Sequence, residues 1–251
     1  MKARVILSEM TREQVRRVAG ETTVVVPTAS IEQHGPHLPV QTDTVACETV
    51  CRRAAELASA EISVTVAPTL TYGISHHHFP HPGVLSLTPS TFMLVLREVC
   101  ESLVRSGFPR IAIVNGHGGN DAAIRVVAQD LANYLPVTIA AASYWTIARD
   151  SLVEEADALA VGPLPGHAGG FETSLILALR PDLVDGRPPA AGGPPRPAAG
   201  LPALIARGGQ RIGDGPGYSD DASAASAERG QRFLETIARD LASFLVQFHK
   251  S

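Results

Sequence analysis

Short hydrophobic runs alternate with amphipathic stretches along most of the chain. Four runs are rich in apolar and β-branched residues and are bounded by turn signals, which is typical of strands. They cover Thr22–Pro27, Ile62–Ala67, Arg110–Asn115 and Val137–Ser143. Because these runs are almost continuously apolar, they predict the strands of a parallel sheet that is covered on both faces.

Helical patterns lie between and after these runs. Thr88 is a suitable N-cap, and Pro89 follows it in the first helical turn, where proline is favoured. The predicted helices cover roughly Asp43–Ala60, Pro89–Gly107, Asn120–Tyr134, Phe171–Arg180 and Ala222–Phe248. This alternation predicts an α/β fold, with a mostly parallel central sheet and helices on both sides.

The length of 251 residues is compatible with a single domain that spans residues 1–251. One low-complexity, proline-rich segment occupies about residues 187–202. Proline lacks a backbone donor, so this segment is unsuited to a regular helix or a central strand. We expect an extended surface excursion rather than a linker, because the remaining C-terminal piece is too small for its own core.

Composition narrows the class of protein. The chain is 45% apolar and 18% charged, its net charge is −4, and its pI is near 6.1. These values argue against a nucleic-acid or anionic-membrane partner. No apolar run approaches the ~20 residues of a membrane span, and the N-terminus lacks the apolar region of a signal peptide. The odd number of cysteines argues against disulfides, so we expect a cytoplasmic enzyme.

Three separated segments carry histidine or glutamate beside glycine. They read Ser-Ile-Glu-Gln-His-Gly-Pro-His from residue 30, Asn-Gly-His-Gly-Gly-Asn from residue 115, and His-Ala-Gly-Gly-Phe-Glu from residue 167. The first two follow predicted strands directly. Because ligands of parallel sheets bind beyond the carboxyl ends of the strands, we expect these segments to meet there.

These segments and the turn after the first of them supply candidate metal ligands: Glu32, His34, Asp43, His117 and Glu172. Imidazole nitrogen and carboxylate oxygen are ligands of Zn²⁺ and Mn²⁺. Three carboxylates are too much negative charge to bury without cations. Two ions ~3.5–4 Å apart would use all five residues, providing a bridging hydroxide near neutral pH and a Lewis acid for a carbonyl. The predicted chemistry is metal-assisted hydrolysis.

In this order, the motifs resemble those of the creatininase (creatinine amidohydrolase) family, over about Thr22–Pro181. The resemblance implies a three-layer α/β/α sandwich and a dinuclear amidohydrolase that is commonly a hexamer. Creatininase itself has a glutamate where this chain has Gly119, and a serine- and glycine-rich insertion before the His-Phe-Pro-Gly element. This chain resembles branches that include formamidopyrimidine deformylases and the peptidase-like members of mycofactocin maturation.

The resemblance also implies a division of the ligands between two ions. Glu32 and His117 would bind at what we call the first metal position. His34 and Glu172 would bind at the second metal position, and Asp43 would bridge the two ions.

Further residues are predicted around the metals. The resemblance implies that His167 moves the proton during C–N cleavage and that Trp145 forms an aromatic wall of the substrate pocket. A further metal site is one interpretation of the histidine cluster formed by His76, His77, His78 and His81. We favour a pocket-lining loop in which His78 meets substrate, although a solvated loop would also explain the pattern. Tyr144 is compatible with either the pocket or the core.

Three residues are predicted to support the ligands without binding metal. His37 is expected behind the site or in the pocket, because Pro36 turns it away from His34. Asn115 and Asn120 would hold the His117 loop by side-chain hydrogen bonds, although local Asx turns explain these residues nearly as well.

The sequence therefore predicts a cytoplasmic homo-oligomer, with a hexamer favoured, and two divalent ions per chain: Zn and/or Mn, with Fe as a further candidate. Its predicted reaction is hydrolysis of a linear or cyclic amide C–N bond of a small molecule by a metal-bridged hydroxide. One alternative is a non-catalytic, metal-binding assembly or structural member of a biosynthetic cluster. Another is a peptidase-like or formamide-deformylating enzyme.

Overall fold

The computed structural model describes residues 5–190 and 215–251. Within these residues, strands β1 (Thr23–Thr28), β2 (Val64–Val66), β3 (Arg110–Asn115) and β4 (Thr138–Ser143) form one sheet. The strand order is β2-β1-β3-β4, and all three pairings are parallel. The predicted parallel sheet is confirmed, and every predicted strand agrees with the observed one to within two residues at each end.

The predicted helices are also present. The helices of the described residues are α1 (Arg12–Val18), α2 (Thr42–Ala58), α3 (Pro89–Arg105), α4 (Asp121–Tyr134), α5 (Tyr144–Ile147), α6 (Arg149–Glu154), α7 (Gly170–Leu179) and α8 (Ala227–Lys250). Helices α1, α5 and α6 were not predicted, because they are too short to establish a hydrophobic period. Helix α8 begins later than predicted, where the Ser226 hydroxyl accepts a hydrogen bond from the Arg229 backbone N–H.

The strands separate two apolar layers because successive side chains point to opposite faces. On one face, Val25 and Ala112 pack in a cluster with residues of α2, α7 and α8. On the other face, Val24 and Ile111 pack with residues of α3 and α4. The result is the three-layer α/β/α sandwich that the resemblance implied.

The strand order creates a crevice at one edge of the sheet. The chain passes from β1 to β2 in one direction and then crosses back to β3 on the opposite side of β1. Helices α2 and α3 consequently cover opposite faces, and a ligand crevice forms between the carboxyl ends of β1 and β3. The loops that follow these two strands carry the first two predicted metal-binding segments.

Parts of two predictions lie outside the described residues. Residues 191–202 of the proline-rich segment are among those that the structure does not describe, and residues 187–190 form no regular element. The single domain of residues 1–251 stays a prediction. In the described part of the chain, no helix has both the length and the apolar character needed to cross a membrane.

Gly230 sets the close contact between α8 and α7, and Gly230→Ala is expected to destabilise the fold. A Cβ at Gly230 would lie 1.8 Å from the Ser174 carbonyl oxygen, and backbone cannot yield as a side-chain end can. Overpacking of this kind costs about 1–3 kcal/mol, which exceeds the ~1 kcal/mol that alanine gains over glycine in helix propensity.

The free energy of unfolding in urea measures this effect. Gly20→Ala is the matched control, because a Cβ at Gly20 meets no atom within 4 Å. A Gly230→Ala variant that was more stable than the parent protein would contradict the proposed backbone contact.

Candidate metal centre

The predicted ligands converge at the carboxyl ends of β1 and β3. A cavity of about 420 Å³ opens there, and Glu32, Asp43, His117 and Glu172 are among its lining residues. His34 is buried beside them, with 1% of its surface exposed. Four segments that are far apart in sequence, including the start of α2, therefore contribute to one polar site.

Local backbone geometry aims the first two ligands. Glu32 and His34 are two residues apart, and their ligand atoms lie within 4.8 Å of each other. The His34 ring is oriented by Nδ1, which lies 3.1 Å from the Glu32 carbonyl oxygen. Its Nε2 consequently faces the other ligands, as expected of a histidine whose second nitrogen is held by an outer partner. Gly35 then turns the chain with a positive φ of 65°.

Asp43 lies between the two imidazoles. It sits in the first turn of α2, and its Oδ1 is 3.1 Å from His34 Nε2. Its other oxygen, Oδ2, is 2.9 Å from His117 Nδ1. One carboxylate thus presents each of its oxygens to a different histidine.

A second carboxylate flanks each imidazole. Glu32 Oε2 is 3.3 Å from His117 Nδ1, and Glu172 Oε2 is 3.7 Å from His34 Nε2. The Glu172 oxygen also accepts a hydrogen bond of 2.6 Å from the Ala168 backbone N–H at the start of α7. Ligand atoms of His34, Asp43 and Glu172 all lie within 4.8 Å of one another. The site therefore has two halves that share Asp43.

The donor atoms fit divalent cations. Glu32 Oε2, Asp43 Oδ2 and His34 Nε2 are buried, and none makes a hydrogen bond within the described residues despite the short separations. Buried polar atoms normally have hydrogen-bond partners. Oxygen and nitrogen atoms that converge without hydrogen bonds are instead what a metal site requires.

The electrostatics of the first half also favour a cation. Burial by itself raises the pKa of the Glu32 carboxyl, yet His117 and His78 hold that pKa well below its usual value. Burial disfavours the charged form of His117, but Glu32 and Asp43 raise the pKa of His117 well above its usual value. These carboxylates therefore stabilise positive charge placed beside them.

The electrostatics of the second half favour a cation for the same reason. Burial acts against the charge on His34, but Asp43 and Glu172 raise the pKa of His34 to about 10. Burial raises the pKa of Glu172 to about 8; His34 opposes this rise, and Asp43 adds to it. A divalent ion between these groups would relieve the repulsion between the two carboxylates.

His167 belongs to a hydrogen-bond network that the sequence did not predict. The Gly35 backbone N–H donates to Gln33 Oε1 at 2.9 Å, which directs Gln33 Nε2 toward two imidazoles. That nitrogen lies 2.7 Å from His78 Nδ1 and 3.0 Å from His167 Nε2, and both ring nitrogens accept from it. The only sequence signal for Gln33 was its position between two candidate ligands.

This network assigns the protons of both rings. With Nδ1 accepting, His78 donates from Nε2 to Glu32 Oε1, 3.0 Å away. With Nε2 accepting, His167 carries its proton at Nδ1, which is 3.8 Å from the same Glu32 oxygen. Burial, followed by the charges of His34 and His78, holds the pKa of His167 well below its usual value, so the resting ring is neutral.

The predicted pocket residues separate into two groups. His78 and Trp145 line the cavity. Tyr144 does not line it: the ring lies in the hydrophobic core, 2% exposed, with its centroid 5.0 Å from that of Trp145 in an edge-to-face contact. Of the two settings considered for Tyr144, the structure gives the core, where this residue supports the aromatic wall from behind.

The residues predicted to support the ligands are also near the site. His37 Nε2 lies 2.9 Å from Thr173 Oγ1, next to Glu172 on α7. Burial, with a further contribution from His34, lowers the pKa of His37 to about 4.

Both predicted asparagines hold the His117 loop. Asn115 Nδ2 donates to the His117 carbonyl at 2.7 Å, and the His117 N–H donates to Asn115 Oδ1 at 3.1 Å. Asn120 Nδ2 donates to the Ala29 carbonyl at 3.1 Å, and Asn120 Oδ1 accepts from the Ile74 N–H at 2.9 Å. Asn120 thereby ties the His117 loop to two other segments, which a local Asx turn would not do.

Asp220 was not indicated by the sequence, which placed His77 only in a pocket-lining loop. His77 lines the cavity beside Glu32 and His117. Asp220 Oδ1 accepts a hydrogen bond of 3.3 Å from the His167 backbone N–H, and a Cβ at Gly169 would overlap the same carboxylate. Asp220 follows the proline-rich stretch, and no local motif marks it. Its contacts with the segment that carries His167 are visible only in the tertiary structure.

Comparison with known proteins places the chain among hydrolases. The family model described as creatininase, creatinine amidohydrolase, matches residues 8–245. Creatinine amidohydrolase of Pseudomonas putida is 32% identical over 270 residues, which cover 96% of each chain. Mycofactocin precursor peptide peptidase of Mycolicibacterium smegmatis is 33% identical over 225 residues, which cover 85% of this chain and 81% of that protein.

Solved structures agree over the same length. A mutant creatininase complexed with creatine has a TM-score of 0.78 and 27% identity to this chain, and the match covers 98% of both chains. Creatininase structures described as a Zn–Zn type and an Mn form each have a TM-score of 0.76, with 28% and 27% identity and 98% coverage of both chains.

Proposed function

Because this chain belongs to the creatininase family of hydrolases, we propose that it uses two divalent metal ions to hydrolyse a linear or cyclic amide C–N bond of a small molecule. The observation that carries this proposal is the position of Asp43. Its two oxygens lie 3.1 Å from His34 Nε2 and 2.9 Å from His117 Nδ1, as required of a carboxylate that bridges two ions.

The first metal position would be held by Glu32 and His117, the second by His34 and Glu172, and Asp43 would serve both. Zn and/or Mn are the proposed ions, with Fe as a further candidate, and the Zn–Zn and Mn forms of creatininase support this choice. Such ions supply an activated water near neutral pH and polarise the substrate carbonyl. Imidazole ligands suit Zn, and carboxylate ligands suit Mn.

His167 would handle the proton at the leaving nitrogen. His167 lines the cavity, and its proton is at Nδ1 because Gln33 occupies Nε2. The ring would first take up the proton released by the attacking water and become an imidazolium, and would then donate a proton to the nitrogen as the C–N bond breaks, which returns it to its neutral form. General acid–base catalysis of this kind contributes about 10²–10⁴-fold to the rate.

The cavity suits a small substrate. A volume of about 420 Å³ lies within the ~300–1,000 Å³ of ordinary small-molecule sites. Trp145 would pack against the substrate, and His78, held by Gln33 and Glu32, would present a fixed edge beside the reacting bond. The position of Tyr144 supports only an indirect role, through its contact with Trp145.

The peptidase-like alternative has one specific support, the 33% identity to a mycofactocin precursor peptide peptidase. That protein acts on a peptide precursor, as its name says. The same proposed metals and His167 would serve a peptide bond as well as another amide. The two candidate functions differ in the size of the substrate. A peptide would extend beyond the cavity, whereas a small amide would lie within it.

Metal content and a substrate screen test the proposed function. Full-length untagged protein is loaded with Zn²⁺ or Mn²⁺, desalted and analysed by mass spectrometry, and we expect two equivalents per chain. Turnover of formamides, lactams and short peptides is then followed by release of the amine. A content of zero or one equivalent would contradict the dinuclear centre, and two equivalents without turnover in any class would favour the non-catalytic alternative. Light scattering on the same sample tests the proposed hexamer.

A further inference from the structure

The histidine-rich turn contributes a residue to the first half of the site that none of the motifs assigned. We infer that His77 is a fourth protein ligand of the ion at the first metal position, beside Glu32, His117 and the shared Asp43. This inference rests on the proposed function. It makes the two metal positions chemically different, since the other imidazole beside His34, that of His167, is already committed at Nε2 to Gln33.

The geometry supports a shared ion. Ligand atoms of Glu32, His77 and His117 all lie within 4.8 Å of one another. Two nitrogens bound to one tetrahedral Zn²⁺ at ~2.0–2.1 Å are about 3.4 Å apart, so the ligand atoms need to approach by about 1.4 Å at most. The His77 and His117 rings are almost parallel, with an interplanar angle of 11° and centroids 5.9 Å apart. Glu32 Oε2, which makes no hydrogen bond, completes the group.

Among the three consecutive histidines, His77 is the one whose nitrogens are uncommitted. His76 Nδ1 lies 2.8 Å from Ser86 Oγ, and His78 is bound on both sides by Gln33 and Glu32. The ring of His77 makes no hydrogen bond to any described residue, yet it lines the cavity beside two buried ligands. A ring whose only role was packing would have no need of neighbouring carboxylates.

Gly119 makes room for this arrangement. A Cβ there would lie 2.2 Å from the Ile74 carbonyl oxygen, 2.5 Å from His117 Nε2 and 3.1 Å from His77 Cε1. A side chain at this position would therefore collide with the segment that leads to His77 and with the His117 ring. At the neighbouring Gly118, by contrast, a Cβ would meet no atom within 4 Å. The absence of a side chain is thus required on the side of the loop that faces His77.

The consequence is a difference in metal preference. The first position would hold its ion with two imidazoles and the carboxylates of Glu32 and Asp43. The second would use one imidazole, His34, and the carboxylates of Asp43 and Glu172. Imidazole ligands suit Zn²⁺, and carboxylates suit Mn²⁺. In a mixture of the two metals, Zn²⁺ is therefore expected at the first position and Mn²⁺ at the second.

The test compares His77→Ala with His76→Ala as the matched control, because His76 is the adjacent histidine and is already bonded to Ser86. Zn²⁺ affinity is measured by competition with a chromogenic chelator on the full-length protein. We expect one of the two ions to bind at least about 10–100-fold more weakly in His77→Ala, and neither to change in His76→Ala. X-ray absorption at the zinc edge should show fewer nitrogen ligands per ion in His77→Ala.

A second pair of variants keeps the inference testable if His77→Ala does not fold. His77→Phe keeps a ring without a nitrogen ligand and is expected to weaken the same ion, whereas His76→Phe should leave it unchanged. If the parent protein binds two ions and His77→Ala binds both as tightly, the inference is wrong and the proposed function stands. If the parent protein binds only one ion, the dinuclear proposal fails, and an unchanged affinity for that ion in His77→Ala would overturn the inference as well.

Discussion

Replacing Asp43 with alanine is expected to remove metal binding and turnover together. Asp43 is the one described carboxylate whose two oxygens face both His34 and His117, at 3.1 Å and 2.9 Å. Its loss removes a ligand from each half of the site and leaves two imidazoles without their shared negative partner. Since bound metals contribute several kcal/mol to the reaction, turnover should fall by roughly 10³-fold or more.

Metal analysis after desalting and amine release under saturating metal measure the two effects. Glu48→Ala is the matched control, because Glu48 is an exposed carboxylate on the same helix, α2. That variant should keep both ions and full activity. A variant with Asp43→Ala that retained two equivalents and normal turnover would exclude a bridging role for this residue.

Replacing His167 with alanine is expected to separate catalysis from metal binding. The His167 ring is committed at Nε2 to Gln33, 3.0 Å away, whereas His34 Nε2 and Glu32 Oε2 make no hydrogen bond within the described residues. We therefore expect both ions to remain, while the turnover number falls by about 10²–10⁴-fold through loss of the proton donor.

Metal content and turnover of the His167→Ala variant are measured on the same preparation and compared. His249→Ala serves as the control, because His249 pairs with Thr23 near the end of α8 and takes no part in the site. The ligand atoms of Glu32, His34 and His167 also lie within 4.8 Å of one another. A variant that lost one ion would therefore identify His167 as a ligand rather than a proton donor.

Much of the fold could be predicted because its signals are local. The apolar runs that became β1 and β3 alternate their side chains between two helical layers, and a covered parallel strand must be apolar on both faces. The Thr88–Pro89 pair fixed the start of α3, where Thr88 Oγ1 accepts a hydrogen bond from the Thr91 N–H. The boundary of α8 was less accurate, since the turn before Ser226 carries no strong start signal.

The sequence by itself determined the architecture and the ligand chemistry of this protein. Strand-following loops must meet at the edge of a parallel sheet, so Glu32 and His117 could be brought together without coordinates. Only the tertiary structure decided which side chains turn toward that meeting point. It directed Gln33 between two imidazoles, brought His77 to the first half of the site and left Tyr144 in the core. The physical reason is range: hydrophobic period and turn chemistry act over a few residues, whereas these contacts depend on packing between segments that are far apart along the chain.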